Sequence, residues 1–314
     1  MDAQFSFTVN QSTAGILLLE HLPTCIPYLT IEECQSILSK NLILLNDQVI
    51  TEDFLLEANQ NITYTIPNYT EGEVDTGWKT LWQNDEIFAV HKPANLPVSR
   101  TTRNVYNTLI QLLRRESMAP DSHLLHRLDL ETSGIILIGK TKESASKYQP
   151  ALPALIKSKI YHAVVSGKPD WEALEYTCDL NTLKDSAIRC QMHKVEKGKT
   201  SKTRFTVLKS NDDFSIIQCE LLTGRKHQIR AHLSILGHPI VGDKIYRNNG
   251  DFYLKRLDDA LTQADHDALL TPHHLLHAYQ IIIDPSLESN DEITITDREY
   301  SDPWQVFIKQ QGLD

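Results

Sequence analysis

His126-Arg127-Leu128-Asp129-Leu130-Glu131-Thr132-Ser133-Gly134 runs without a break into Ile135-Ile136-Leu137-Ile138. A loop dense in ionisable groups is thereby tied to an apolar run of strand length. This is the setting in which a rigid scaffold fixes loop side chains where a reaction can use them. Taken alone, the stretch reads equally well as a polar turn in which Asp129 caps a neighbour.

Working outward, Ile87-Phe88-Ala89-Val90 and residues 134–139, 160–165, 214–222 and 279–283 read as strands, with helices near 142–149, 226–236 and 303–310. Asn104 to Ser117 reads as an amphipathic helix with Val105, Leu109, Leu112 and Leu113 on one face. Strands and helices in this irregular order predict an α+β fold rather than a doubly wound sheet. Upstream, Thr30 and Glu33 form a capping-box pattern before a short helix that places Cys34, Ile37 and Leu38 on one face. Strand runs follow at 42–45, 49–50 and 61–66, and the polar stretch 67–75 reads as a linker. The expected domains are therefore 1–75 and 76–314.

The chain has 314 residues, 31 Lys+Arg and 41 Asp+Glu, for a formal charge of −10. Such a balance argues against a nucleic-acid partner only if it is evenly spread. Residues 1–75 hold one basic residue, Lys40, against eleven acids. Residues 76–256 hold 28 basic and 18 acidic residues, while 257–314 hold 2 and 12. A basic middle lies between acidic ends, so overall charge excludes no polyanion.

No apolar run approaches the roughly 18 residues a membrane helix needs, and the first 30 residues lack a secretion-signal pattern. Five cysteines without C-x-x-C spacing indicate neither a disulfide framework nor a zinc ribbon, which fits a reduced, cytoplasmic setting. No glycine-rich phosphate loop of either common pattern occurs. His227, His232 and His238, or His273, His274 and His277, invite a metal, but neither group has ligand spacing with Cys or carboxylate partners.

A second segment, Thr223-Gly224-Arg225-Lys226-His227-Gln228-Ile229-Arg230-Ala231-His232-Leu233 through Gly242-Asp243-Lys244-Ile245-Tyr246, changes the balance. Ile229, Leu233 and Leu236 have helical spacing, and Gly237 is a stop signal. Arg225 then falls at a helix start, unfavourable for a cation unless an anion accompanies it.

Together, His126-Arg127-Leu128-Asp129 with Thr132-Ser133-Gly134 and the Thr223-to-Tyr246 block resemble the RluA-type family of RNA pseudouridine synthases. Lys92-Pro93, Lys159-x-Tyr161-x-Ala163, Thr203 and Leu276-His277-Ala278 stand in that family's order. The resemblance covers residues 80 to 284. It implies a mixed, largely antiparallel central sheet flanked by helices, and isomerisation of uridine in RNA without cofactor or metal. Ribosomal RNA is the first expectation and transfer RNA the alternative, with the protein a monomer.

By the same resemblance Asp129 is the essential aspartate, Arg225 its ion-pair partner and Tyr161 the ring against the target base. Arg127 would fill the stack left by the flipped nucleotide, and His126, Thr132, Lys92, Arg230 and His227 would contact substrate. Asn95 stands where the family has glycine, and a polar stretch, 251–273, is added. The first 75 residues are similar to an S4-type RNA-binding module, but Leu17-Leu18-Leu19-Glu20 and an acidic helix replace its basic features. A module so acidic repels phosphate. A glycosidase, which normally needs two carboxylates, and a non-catalytic RNA-binding or assembly protein are the rival readings.

Overall fold

In the computed structural model, which describes residues 2–25, 29–101, 104–258, 261–288 and 291–314, the chain divides into two compact units. One comprises Met1–Glu73 with Arg100–Tyr106, the other Val74–Ser99 with Asn107–Asp314.

The first unit contains β1 (Ala3–Thr8), α1 (Leu18–Cys25), α2 (Ile31–Ser39), β2 (Ile43–Leu45), β3 (Gln48–Val49) and β4 (Asn61–Ile66). Its sheet is antiparallel in the order β1-β4-β2-β3. The capping box forms: Glu33 N–H donates to Thr30 Oγ1 at 3.2 Å and Thr30 N–H to Glu33 Oε2 at 2.8 Å. Two of the orphan donors of a helix start are thus satisfied reciprocally, and α2 buries Cys34, Ile37 and Leu38. The helix expected after the capping box is present, and β2 and β3 form an antiparallel hairpin.

Val105 is packed in this unit's core rather than on the expected helix face. The N–H groups of Val105 and Tyr106 both donate to the Glu71 carboxylate at 2.6 Å, which holds them outside the helix. The helix expected from Asn104 accordingly begins only at Leu109.

The second unit contains β5 (Lys79–Gln83), β6 (Ile87–Lys92), α3 (Leu109–Glu116), β7 (His123–Leu124), β8 (Ser133–Gly139), α4 (Lys142–Tyr148), α5 (Leu152–Leu155) and β9 (Ile156–Ser166). It continues through β10 (Ala173–Asn181), β11 (His193–Lys194), β12 (Lys199–Ser210), β13 (Phe214–Leu221), α6 (Gln228–Ile235), α7 (Asp251–Asp258), α8 (Gln263–Leu269), β14 (Leu276–Ile283), β15 (Ile293–Thr296) and α9 (Asp302–Gln310). Among the described residues its strands form one sheet, β11-β10-β12-β13-β9-β14-β8-β6-β5, with β15 beside β14 and β7 beside β8. Among the described residues only the β14–β8 pair is parallel, so the α+β fold with a mixed, largely antiparallel sheet is the one observed.

The unbroken apolar run of β8 has a direct cause. Ile136 and Ile138 join one apolar cluster with Phe88 and Val90, while Ile135 and Leu137 join another with Ile87 and Ala89. A strand covered on both faces needs apolar residues at every position. Strands β10 and β12 carry no such signal: Arg204 pairs with Glu220 at 2.7 Å and Glu175 at 3.1 Å, and Lys202 with Glu175 at 2.6 Å. Their exposed face is a charged ladder, which hides them from a reading by hydrophobicity.

Of the polar stretch at 251–273, most folds into α7 and α8, with residues 259–260 outside the described set. Phe252 and Leu269 are buried, and Lys255 pairs with Asp265 at 2.5 Å. Among the described residues no helix is long and apolar enough to cross a membrane.

Candidate active site

The loop 126–132 enters β8 through Gly134, where φ is +105° and a Cβ would lie 2.4 Å from the Ala278 carbonyl oxygen. Only glycine permits β8 and β14 to approach so closely here. Opposite Gly134 stands Lys92, fully buried, whose Nζ donates to the carbonyls of Pro93 at 2.7 Å, Leu96 at 3.0 Å and Leu130 at 3.0 Å. Burial lowers its pKa to about 7 against the pull of Asp129, Asp75 and Glu131.

Three residues expected to contact substrate are therefore corrected to anchors of the loop. Lys92 has its ammonium on backbone oxygens. His126 accepts the Leu137 N–H at 3.1 Å through Nε2, and burial, then the charge of Lys159, lowers it to about 3, so it is a neutral acceptor. Thr132 is buried with Oγ1 2.8 Å from His274 Nε2. Each has spent its polar atoms inside the protein.

Asp129 is different. Its side chain is 30% exposed, and Oδ2 accepts a 2.7 Å hydrogen bond from Arg230 Nη1. Burial works to raise this carboxyl, but the charge and hydrogen bond of Arg230 win, and it titrates at about 2. Arg230 is itself clamped by Asp243, Nε to Oδ2 at 2.7 Å and Nη2 to Oδ1 at 2.9 Å. Asp243 Oδ1 also takes the N–H groups of Ile245 at 2.9 Å and Tyr246 at 3.1 Å. Burial would raise Asp243, yet Arg230 and these donors hold it well below the usual carboxylate range.

The expected Asp129–Arg225 ion pair is thus overturned. Arg225 is exposed and donates from Nε to the Thr200 carbonyl at 3.2 Å, while its backbone N–H is fixed by Gln228 Oε1 at 3.0 Å. The physical reason is the turn before α6. His227 takes a left-handed conformation, φ +52°, so the helix begins at Gln228 and Arg230 lies within it. Arg230, expected at the substrate, is instead the counter-ion, with 6% of its side chain exposed.

His227 does stand at Asp129, Nε2 3.7 Å from Oδ1, with Nδ1 3.1 Å from Tyr246 Oη. Tyr246 Oη already accepts the Met192 N–H at 2.8 Å, so its proton can serve Nδ1 and leave the His227 Nε2–H facing Asp129. Burial, then Arg230, lowers His227 to about 4, keeping it neutral. Tyr161, on β9, is buried in the apolar cluster that also holds Leu128, Ile229, Leu276 and Ala278, and burial with the nearby Asp129 charge keeps its phenol protonated. Arg127 is exposed on the same loop.

Glu131 completes a second network that sequence reasoning did not assign. Lys244 Nζ sits 2.7 Å and Arg256 Nη1 3.5 Å from Oε1, and the His274 N–H donates to Oε2 at 3.1 Å. Burial opposes its ionisation, but Lys244 prevails and its pKa is lowered. Asp243 and Lys244 were legible only as part of Gly242-Asp243-Lys244; an acid followed by amides it could cap was the available signal. His232 binds Thr203 Oγ1 at 3.0 Å and His238 the Ser166 carbonyl at 3.1 Å, so these histidines diverge from His227.

An ionised, partly exposed carboxylate beside a buried aromatic ring can attack or deprotonate an electrophilic sugar while a flat base lies on the ring. Comparison with known proteins fits that geometry. Residues 86–235 match the family model described as RNA pseudouridylate synthase. The human pseudouridylate synthase RPUSD2 is 32% identical over 206 residues, covering 65% of this chain and 37% of that protein. The mitochondrial tRNA pseudouridine(32) synthase of Saccharomyces cerevisiae is 32% identical over 237 residues, 72% of this chain and 49% of the relative. Ribosomal large subunit pseudouridine synthase D of Nitrosomonas europaea is 30% identical over 207 residues, 65% and 57% respectively. The chain thus spans between about a third and three-fifths of these relatives' length. Among solved structures, human RNA pseudouridylate synthase domain containing 4 superposes with a TM-score of 0.56 at 25% identity, covering 75% of this chain and 93% of that one. Through its second unit, the chain belongs to the RluA-type family of RNA pseudouridine synthases.

Proposed function

We propose that this protein converts uridine within RNA to pseudouridine. In that reaction the N1–C1′ bond breaks, the uracil turns, C5 bonds to C1′ and the C5 proton leaves. Asp129 is the residue that acts on the sugar, at C1′ as nucleophile or at C2′ as base. The observation that carries this reading is its state: paired at 2.7 Å with Arg230, titrating at about 2, and still 30% exposed. A carboxylate kept ionised yet reachable suits either role.

In this reading Arg230 and Asp243 hold the carboxylate's charge and position, Tyr161 flanks the base, and Arg127 fills the vacated stack, where a planar guanidinium substitutes for a base. Ribosomal RNA is the proposed substrate class, with transfer RNA the alternative; relatives named for each stand at 30% and 32% identity. We infer a monomeric, cytoplasmic enzyme that needs no cofactor, in keeping with five unpaired cysteines. The S4-like reading of the first unit is retained for its fold, and its acidity favours a role other than phosphate binding.

The test uses total RNA labelled with [5-³H]uridine from cells lacking the protein. Purified protein should release tritium, and carbodiimide mapping of the product identifies the RNA and the uridine. The Asp129→Asn protein should bind the same RNA and release none; turnover by that variant would sink the assignment.

A further inference from the structure

Three lysines of the second unit extend from the neighbourhood of the site into the protein, and they end differently. Lys92 meets three carbonyl oxygens. Lys244 meets the Glu131 carboxylate at 2.7 Å and the Pro272 carbonyl at 2.6 Å. Lys159 is half-buried, yet among the described residues its ammonium makes no hydrogen bond and no ion pair. A desolvated cation without a partner is costly, and such groups are retained where a ligand supplies the partner.

Its position says which ligand. Lys159 stands two residues before Tyr161 on β9, so the two side chains leave the same face of the strand. Tyr161 is opposite Ala278 and Lys159 opposite Ile281 on β14. Lys159 Nζ rests against the backbone of Gly224, where a Cβ would lie only 3.3 Å away. The next residue, Arg225, is exposed, with Nε on the Thr200 carbonyl at 3.2 Å. Lys226, next in the chain, and Arg127, on the Asp129 loop, are also exposed. The charge of Lys159 is also felt by His126 on the Asp129 loop. Burial lowers the Lys159 pKa. An ammonium without a protein partner among the described residues, against Gly224 and on the strand face of the ring that flanks the base, is complementary to a phosphodiester.

We propose that Lys159, with Arg225 beside it, binds an RNA backbone phosphate next to the target uridine. The inference rests on the RNA-modifying function proposed above and names a contact of that site. It also gives Arg225 a role after the loss of its expected partner: an exposed cation ahead of a helix start, held through Nε by a backbone carbonyl.

The experiment compares wild-type, Lys159→Gln and Lys159→Arg full-length proteins, with folding checked by thermal melting. Two readouts use the same [5-³H]uridine-labelled RNA: tritium release and filter binding, each across a series of salt concentrations. Lys159→Gln should lower kcat/KM about tenfold, mainly through KM, and reduce the slope of log affinity against log salt by about one phosphate contact, roughly 0.7–0.9. Lys159→Arg should restore the slope, since a guanidinium also binds phosphate. An unchanged slope in Lys159→Gln, whether or not activity falls, overturns the phosphate contact and leaves a packing role. Absence of tritium release from the wild type would instead overturn the proposed reaction, while the slope difference in binding would still decide the contact.

Discussion

Asp129 and Glu131 lie two residues apart on one loop, and both are ionised against the effect of burial. Asp129 keeps 30% of its side chain exposed and shares a single arginine with Asp243. Glu131 keeps 10%, beneath Lys244, Arg256 and the His274 N–H. The first carboxylate has charge compensation on one side and an open side for a substrate. The second is closed off, and its network ties the loop to the segment 244–256 and to the start of β14. Reach, rather than charge state, separates the proposed reactive group from the anchor.

That contrast can be broken by substitution. Asp129→Asn should have the largest effect on turnover, ~10³-fold or more, because it removes the group proposed to act on the sugar. Its melting temperature should stay near wild type, since Arg230 retains Asp243. Arg230→Gln should damage both properties. It leaves Asp243 buried without its bidentate partner, a loss of about 3–5 kcal/mol in chemical denaturation.

Arg230→Gln should also change the pH profile. In the wild type the Asp129 pKa is lowered from 3.8 to about 2, so the stabilisation is complete above the unfolded value and is lost as pH falls through about 2. No acid limb from Asp129 is expected in kcat/KM between pH 4 and 7. Without Arg230 the main opposition to burial is lost, and an acid limb should appear above pH 4. A profile identical to wild type would show that Arg230 does not set the charge of Asp129.

Glu131→Gln should reverse the order of effects seen at Asp129: about 3 kcal/mol of stability lost, since Lys244 is left with an uncompensated charge, but less than a tenfold fall in kcat. If turnover fell as far as in Asp129→Asn, the distinction between the two carboxylates would fail. Smallest of all, Arg225→Gln should leave the pH profile in place and shift stability by no more than about 0.5 kcal/mol. Its effect should be confined to KM and its salt dependence.

Much of the frame was legible because it depends on local chemistry. The Thr30–Glu33 capping box starts a helix wherever it occurs before an apolar stripe, and it does so here. Asn95, standing for a glycine, takes φ +59°, as its tolerance of the left-handed region permits. Gly237 ends α6 at φ +85°. The continuous apolar run of β8 announced a strand covered on both faces. By contrast, Val105 has helical spacing with Leu109 and Leu112 but packs in the other unit's core, because Glu71 captures its amide. No periodicity reports a carboxylate 34 residues upstream.

The sequence by itself determined the α+β class, the loop-to-strand junction that presents Asp129, and the family, because each rests on short-range pattern. Only the tertiary structure decided which cation holds Asp129 ionised. Arg225 and Arg230 are five residues apart in one motif, and a left-handed residue at His227 directs one to solvent and the other to a carboxylate 101 residues away. Tertiary packing likewise turned Lys92, His126 and Thr132 from presumed substrate contacts into anchors, since buried donors and acceptors must be satisfied by whatever the fold brings to them. Spacing orders residues along an element; it carries no information about which distant group will share their low-dielectric surroundings.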